Sequence, residues 1–299
     1  MVIQLYRYMF NFFGPLFPQS MGKLAVKRFC TPASRIKVKA DEHALLCRAQ
    51  SLRRRINGIK MQGYLWVDES SFTQKPMVLC VHGFGSRTAK MSVQIENLIE
   101  RGFDVVSFDA RGHGESGGKS LSVPDYKADL IKIMRRLENN GFRLSGFIGH
   151  SMGAIAGLYA INQIDNSRSF ISDNFKGILI GAPSKIVRVI SGFAQYFNLP
   201  KKVEESMYHV LSESENLPIT SYDLGYYIEN SPYDVCLVHD KKDKEMPFEY
   251  AEKIAQDTQC SIKVTDGLGH RRIMKDIGLA NDIIDILAGN NYQKTTELS

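Results

Sequence analysis

The chain has 299 residues, of which 43% are hydrophobic and 23% charged, as in an ordinary soluble globular protein. That length favours a single α/β domain with one large core, because two full domains would be cramped. The formal net charge is +6, but the short basic runs at 53–55 and 241–242 are not interleaved with aromatic residues. Nucleic-acid grooves combine both features, so we expect a solvated basic surface and no nucleic-acid partner.

The five cysteines indicate a reducing environment. Their number is odd, and no two of them have C-x-x-C spacing. Cys80 and Cys236 lie inside apolar runs, where a reduced cysteine behaves as a small hydrophobic residue. Since reduced cysteines are usual in the cytosol, we expect a cytoplasmic protein.

Residues 1–59 are predicted to form an N-terminal helical segment followed by a leading strand. Residues 1–17 are rich in Tyr, Phe, Leu and Met, but Arg7 and Gly14-Pro15 interrupt the stretch. No signal-peptide cleavage site follows, and the stretch is shorter than the ~20 residues of a membrane span. Two interpretations remain: an amphipathic helix that packs on the domain or covers its pocket, and an interfacial helix in peripheral contact with a membrane.

From residue 60 onward, apolar runs of strand length alternate with stretches of helical length. This alternation is typical of a mostly parallel twisted sheet with helices on both faces, so the predicted fold class is α/β. The predicted strands are 77–81, 104–108, 144–148, 177–180, 235–238 and 260–264, and the predicted helices are 90–100, 126–138, 152–162 and 250–255. Upstream, Asn57-Gly58 predicts the turn of an antiparallel hairpin between 51–59 and 61–67.

Residues 184–231 break this alternation. They begin with helical apolar spacing and continue with a run of Ser, Glu, Asn and Pro. Because a connection of this length in a compact domain is usually functional, we expect a small helical cap over the functional site. A plain surface excursion is the alternative. The predicted α/β core then consists of residues 60–183 and 232–299.

The segment Gly149-His150-Ser151-Met152-Gly153 matches the pattern G-x-S-x-G. It follows an apolar strand and leads directly into a predicted helix, the context in which this pattern forms a sharp strand-to-helix turn. Glycines flank the serine because a side chain at either position would collide with neighbouring backbone. The helix N-terminus presents free N–H groups where negative charge develops. Ser151 is therefore the predicted nucleophile.

A second segment, His82-Gly83-Phe84-Gly85, directly follows the predicted strand 77–81. With it the sequence resembles the α/β-hydrolase superfamily, in which a His-Gly turn at this place supplies one N–H of the oxyanion hole. The residue after the nucleophile supplies the other. The resemblance therefore implies that the donors are the backbone N–H groups of Phe84 and Met152. His82 comes too early in the chain to be the base, so we interpret it as a structural residue of the turn.

The segment 109–116 resembles the D-x-R-G-x-G-x-S loop that many members of this superfamily have after the next strand. Its glycines suit a tight turn, and Asp109 and Arg111 are expected to hold the loop in place. We assign the loop no chemistry, and we interpret His113 as structural.

The base and the acid that orients it are expected after the nucleophile, in the order Ser, Asp or Glu, His. Residues 239–247 resemble the superfamily's H-G-x-x-D-x-x-V-P turn, which implies that Asp243 is the acid. Asp240 stands where the family pattern has glycine, which blurs the register, and it remains an alternative. After the last predicted strand, the segment 267–270 places His270 where the family has its base.

The resemblance, which extends from about residue 60 to about residue 287, implies a Ser-His-Asp triad that acts through an acyl-enzyme, without a cofactor or a metal ion. The turn at 149–153, the cap and the ending Gly-Leu-Gly-His-Arg-Arg-Ile resemble those of bacterial carboxylesterase-like hydrolases in particular. We therefore expect a serine hydrolase that acts on small-molecule carboxylic esters, and Phe193, Tyr196 and Phe197 of the cap would suit an apolar acyl group.

Other activities of the same triad remain open. A monoacylglycerol lipase and a thioesterase are the nearest alternatives, and hydrolysis of carbon–carbon bonds uses the same residues. From a different class, a non-catalytic binding protein can have this fold. The sequence contains no indication of the acyl-chain length or of the oligomeric state.

Overall fold

The structure is built on one eight-stranded sheet. A computed structural model describes residues 2–67, 75–164, 170–213 and 218–289. The strands are β1 (Gln50–Ile56), β2 (Ile59–Trp66), β3 (Met77–Val81), β4 (Asp104–Asp109), β5 (Leu144–His150), β6 (Ile171–Ile180), β7 (Asp234–Asp240) and β8 (Ser261–Thr265). Their order is β1-β2-β4-β3-β5-β6-β7-β8. β2 pairs antiparallel with both β1 and β4, and all other neighbours are parallel.

Helices alternate with the strands and cover both faces of the sheet. They are α1 (Val2–Phe13), α2 (Pro18–Phe29), α3 (Ala40–Cys47), α4 (Ser92–Glu100), α5 (Val123–Asn139), α6 (Met152–Asn162), α7 (Ile186–Phe197), α8 (Lys201–Ser212), α9 (Leu224–Glu229), α10 (Phe248–Thr258), α11 (Gly269–Arg272) and α12 (Ile277–Leu287). The predicted α/β class and mostly parallel sheet are thereby confirmed.

Most of the predicted elements differ from the observed ones by a few residues at their ends. The predicted hairpin is confirmed, because Ile56 pairs with Ile59 around a turn in which Asn57 and Gly58 both have positive φ. The largest difference among the strands is β6, which begins at Ile171 instead of residue 177. Its first half contains Ser, Asp, Asn and Lys and is partly exposed, so it lacks the apolar run by which a buried strand is recognised.

The core has two layers, one on each face of the sheet. Along β3, Val78 and Cys80 face one layer, and Leu79 and Val81 face the other. The first layer contains residues of α4 and α12, and the second contains residues of α5 and α6. Because the inner strands are buried on both faces, their sequences are continuous apolar runs.

The cysteines in two of these strands behave as the sequence predicts. Cys80 and Cys236 are buried in the core as free thiols. Burial raises the pKa of the Cys236 thiol to about 12. Neither thiol is therefore a nucleophile at neutral pH.

The segment 184–231 contributes α7, α8 and α9 between β6 and β7. The N-terminal helices pack on them: the rings of Tyr6 and Phe10 meet the ring of Phe197 edge-on, and Arg7 donates hydrogen bonds to the carbonyl oxygen of Tyr196. α2 contacts α8 where Gly22 lies against Ser206, with no room for a side chain. None of the helices in the described ranges has both the length and the apolar character needed to cross a bilayer.

Candidate active site

The sequence-predicted site residues meet at the carboxyl edge of the sheet. Ser151 follows β5 and Phe84 lies in the turn after β3, while Asp243 and His270 follow β7 and β8. In open α/β sheets this edge is where ligands bind. Parallel pairing of β3, β5, β6, β7 and β8 thus brings together residues that are up to 186 positions apart in the chain.

Ser151 occupies a strained turn between β5 and α6. Its φ of 52° and ψ of −123° lie in a region that side-chain-bearing residues rarely adopt. Two close approaches explain the flanking glycines: a Cβ on Gly149 would lie 2.4 Å from the Cα of Ala154, and one on Gly153 would lie 2.4 Å from the carbonyl oxygen of His82. The turn therefore fixes the serine at the N-terminus of α6.

His270 connects Ser151 to Asp243. Its Nε2 lies 3.0 Å from Ser151 Oγ, and its Nδ1 lies 2.7 Å from Asp243 Oδ2. An ionised carboxylate only accepts hydrogen bonds, so Nδ1 carries the proton and the lone pair of Nε2 faces the serine hydroxyl. In this tautomer the imidazole can take the proton of Ser151.

Asp243 is held as a carboxylate in a buried position. Burial alone would raise the pKa of Asp243, but the hydrogen bonds from His270 and from the backbone N–H groups of Met246 and Glu245 outweigh burial and lower it. Both N–H groups donate to Oδ1 at 2.8 Å, which leaves Oδ2 for the imidazole. The side chain is thus charged and fixed in direction before any substrate binds.

Asp240, the alternative acid, has different partners. Its Oδ1 accepts the N–H of Lys242, and its Oδ2 accepts the hydroxyl of Thr265 and the N–H of Leu268. These bonds tie the loop after β7 to the segment that leads into His270. The structure therefore places Asp243, and not Asp240, against the imidazole.

The two predicted oxyanion-hole donors flank Ser151. Gly83 lies so close that a Cβ there would be 3.0 Å from Ser151 Cβ, and Phe84 follows it. Met152 is the first residue of α6, where backbone N–H groups have no helical acceptor. Among the described residues, the N–H groups of Phe84 and Met152 donate no hydrogen bond. Both donors are available to an oxygen bound beside the serine.

Two histidines hold the turn that contains Phe84. His82 donates from Nδ1 to the carbonyl of Gly83 and accepts the N–H of Ala110 at Nε2. His113 donates from Nδ1 to a carbonyl in its own loop and accepts the N–H of Gly85 at Nε2. An imidazolium has no lone pair to accept either N–H, so both rings must be neutral. The arrangement agrees with the structural interpretation of both residues.

The loop after β4 is anchored through its charged residues. The carboxylate of Asp109 is fully buried and accepts the N–H groups of Thr88 and Glu115 at 2.9 Å. Arg111 forms ion pairs with Asp125 and Asp129 on α5. These contacts position the loop that carries His113.

Sequence reasoning missed two further histidines near Asp243 and His270. His150 donates from Nε2 to the carbonyl of His270 at 2.9 Å, and the two rings lie 4.9 Å apart. His239 donates from Nε2 to the carbonyl of Met246, whose N–H binds Asp243. Both histidines stand in motifs that the sequence analysis identified: His150 is the variable residue of G-x-S-x-G, and His239 begins the turn that contains Asp243. The partner of His150 lies 120 positions later in the chain, whereas the partner of His239 lies in its own turn.

Because His82 and His150 are buried, we expect the free energy of unfolding to fall with decreasing pH. Burial lowers the pKa of His82 and that of His150 to about 4, below the ordinary value of 6.5. Below pH 6.5 the unfolded chain takes up protons that the native protein excludes, so the free energy of unfolding falls as the pH decreases towards 4. We expect a loss of about 2 kcal/mol per histidine between pH 7 and pH 5.

Chemical unfolding at a series of pH values measures this dependence. His150→Gln should remove about one histidine's share of the slope, while His209→Gln, at an exposed position on α8, should leave the slope unchanged. A free energy of unfolding that is constant between pH 7 and pH 5 would show that these rings bind protons in the native state.

A cavity of about 610 Å³ opens above Ser151. Its volume lies within the roughly 300–1,000 Å³ of small-molecule sites. Its apolar lining comes from the core, from α2 and from α7, and includes Phe29, Phe84, Ile186, Val189, Phe193 and Phe197. Tyr196, another predicted cap residue, also lines it. Glu245 and Arg271 also line the cavity and pair with each other.

Within the described ranges, no group of three His, Cys, Asp or Glu side chains has an arrangement that could hold a metal ion.

Known proteins resemble the chain in sequence and in fold. A family model described as serine aminopeptidase, S33, matches residues 73–216. The uncharacterized protein YfhR of Escherichia coli O157:H7 is 27% identical over 221 residues, which cover 71% of this chain and 69% of YfhR. The probable lysophospholipase L2 of Haemophilus influenzae is 27% identical over 134 residues, 42% of each chain.

Solved structures agree with this result. The esterase Pf2001 of Pyrococcus furiosus matches with a TM-score of 0.65 at 20% identity, covering 87% of this chain and 98% of the esterase. At this identity the match establishes the fold alone, and the family model matches just under half of the sequence. The chain therefore has the α/β-hydrolase fold, in which it resembles this esterase.

Proposed function

We propose that the protein is a serine hydrolase that cleaves carboxylic esters through an acyl-enzyme intermediate. The observation that carries the proposal is the continuous hydrogen-bonded series from Ser151 through His270 to Asp243 at the base of an apolar cavity. Nucleophile, base and orienting acid lie within hydrogen-bond reach of one another, which is the geometry of an activated serine.

The reaction follows from the roles of these groups. Ser151 Oγ attacks the ester carbonyl while its proton moves to His270 Nε2, and Asp243 stabilises the imidazolium. The N–H groups of Phe84 and Met152 bind the tetrahedral oxyanion. His270 then gives the proton to the departing alcohol, which leaves Ser151 acylated. A water molecule, deprotonated by the same imidazole, attacks the acyl-enzyme and releases the carboxylic acid.

The lining of the cavity indicates an apolar acyl or alcohol group. Phe193 and Val189 of α7 line the cavity together with Ser151, so a chain extending from the bound carbonyl meets apolar side chains. Burial of such a chain contributes about 0.8 kcal/mol per methylene group.

The expected result is a kcat/KM that peaks at short or medium acyl chains when p-nitrophenyl esters from acetate to palmitate are compared. Val189→Trp should shift the peak to shorter chains, since the larger side chain fills part of the cavity. Val187→Trp is the matched control, because Val187 is half-buried on the same helix and does not line the cavity.

Labelling by a fluorophosphonate, read by mass spectrometry at Ser151, tests the nucleophile independently of the substrate. Labelling without hydrolysis of any ester would retain the serine hydrolase and contradict the ester specificity. Failure of both labelling and hydrolysis would overturn the proposal.

A lipid-ester hydrolase is the second candidate. It is favoured by the apolar side chains of α1 that lie beside the cavity, since Ile3 lines it. The name of the Haemophilus relative, a probable lysophospholipase, points in the same direction. A peak at palmitate, together with hydrolysis of a monoacylglycerol or a lysophospholipid, would favour this candidate over the first.

A further inference from the structure

The positive charge of the chain is concentrated at its N-terminal end. Residues 1–40 contain seven of the 38 Lys and Arg residues and none of the 32 Asp and Glu residues. The remaining 259 residues therefore carry 31 basic and 32 acidic side chains and are almost neutral. Lys23 and Lys27, one helical turn apart on α2, are exposed. The net charge of +6 thus belongs to α1, α2 and the segment before α3.

The same region exposes large apolar side chains, among which the ring of Phe12 contacts those of Tyr8 and Phe13. We call this group the N-terminal apolar face; it comprises Leu5, Tyr8, Phe12, Phe13, Leu16 and Phe17. Leu5, Tyr8 and Phe12, at helical spacing along α1, are 66%, 68% and 57% exposed. Single exposed hydrophobic residues are common, but a contiguous group marks an interaction surface.

Packing of α1 on α7 explains why this face remains exposed. Tyr6 and Phe10 point towards Phe197 and use the opposite side of the helix. One side of α1 is therefore anchored in the domain, while the N-terminal apolar face on the other side is exposed. The helix thus has apolar residues on both sides, of which one packs on the domain and the other is exposed.

The cavity reaches the surface next to this face. Ile3 at the start of α1 and Tyr196 near the end of α7 both line the cavity, and both are partly exposed. Arg7 joins the two helices at this position through the carbonyl of Tyr196. A surface that covers the N-terminal apolar face would thus also border the mouth of the cavity.

We propose that the N-terminal apolar face docks on an anionic lipid bilayer, with α1 lying in the plane of the interface. Leu, Phe and Tyr side chains on one face of a helix with basic residues nearby are the features of interfacial helices. A region with seven cations and no anion is electrostatically complementary to a leaflet of anionic lipids. The proposal concerns binding, so it does not depend on which ester the protein cleaves.

Co-sedimentation of the full chain with vesicles tests the proposal. We expect binding to vesicles of phosphatidylcholine and phosphatidylglycerol, at least about tenfold weaker binding to phosphatidylcholine alone, and a decrease as salt is added. Leu5→Ser/Tyr8→Ser/Phe12→Ser should reduce binding at least about tenfold. Lys23→Gln/Lys27→Gln should reduce it several-fold, and only for the anionic vesicles.

Matched controls use exposed residues elsewhere on the surface. Tyr226→Ser/Ile277→Ser removes two exposed apolar side chains, and Lys241→Gln/Lys253→Gln removes two exposed cations. Both control variants should bind vesicles like the unmodified chain. Because all the substituted side chains are exposed, we expect every variant to keep its circular dichroism spectrum and its Tm.

Three outcomes would overturn the proposal. The first is a chain that stays in the supernatant with both kinds of vesicle. The second is a triple variant that binds as well as the unmodified chain. The third is a dimer, seen by light scattering, that the triple substitution converts to a monomer while no vesicle binding occurs; a second copy of the chain would then be the partner of this face.

Discussion

Ser151→Ala should lower kcat for ester hydrolysis by about 10⁶, the order of loss seen when the nucleophile of a serine protease triad is removed. The residual rate would come from the oxyanion hole and from substrate binding. The fold should be unaffected, because the hydroxyl contacts only His270 among the described residues. Alanine at φ 52° also meets the same backbone restriction as serine. The measurement is steady-state hydrolysis of the best p-nitrophenyl ester, with Tm as the check of folding.

Ser86→Ala is the matched control for this substitution. Ser86 lines the same cavity and lies in the turn after β3, but its hydroxyl makes no contact with His270. It should keep kcat within a few-fold of the unmodified chain. Unchanged hydrolysis in the Ser151→Ala variant would rule out Ser151 as the nucleophile, even if the Ser86→Ala variant behaved as expected.

The nucleophile turn could be located from sequence because its constraints are local. The strand before Ser151, the helix after it and the two flanking glycines lie within one short segment, and each has a steric cause that can be read from residue types. The alternation of apolar runs with helical stretches is also a local pattern. It was sufficient for the α/β class and for the position of most strands.

The contacts around His270 could not be predicted in the same way. His150 acts on the carbonyl of His270, 120 positions later, and a pattern within one segment contains no information on such a contact. The choice between Asp240 and Asp243 is another case. The two carboxylates are three residues apart, and only the folded loop shows which of them faces the imidazole.

The N-terminal segment shows a different limit. Its composition favoured an amphipathic helix but did not distinguish packing on the domain from contact with lipid. The structure shows that α1 packs through Tyr6 and Phe10 and still exposes Leu5, Tyr8 and Phe12. The two interpretations are therefore compatible, because they concern opposite sides of one helix.

The second large effect is expected for Asp243→Asn, which should lower kcat by about 10⁴. Its Oδ1 can still accept the N–H groups of Glu245 and Met246, so the loop should keep its shape. The amide NH₂ would then face His270 Nδ1 and donate to it. Nδ1 would lose its proton to Nε2, and an Nε2–H facing Ser151 cannot act as a base.

Asp240→Asn is the control for Asp243→Asn, because it also removes a buried carboxylate from this turn but not the one that contacts His270. Asp240 accepts hydrogen bonds from Lys242, Thr265 and Leu268 and not from the imidazole, so an amide there leaves at least one donor poorly matched. We expect the free energy of unfolding to fall by about 1–3 kcal/mol, with kcat reduced less than tenfold. Measuring kcat and chemical unfolding for both variants gives opposite patterns if Asp243 orients His270. The opposite result, in which Asp240→Asn abolishes turnover and Asp243→Asn retains it, would show that the acid has been assigned to the wrong residue. The tautomer of His270 would then depend on the loop that Asp240 holds and not on the carboxylate of Asp243.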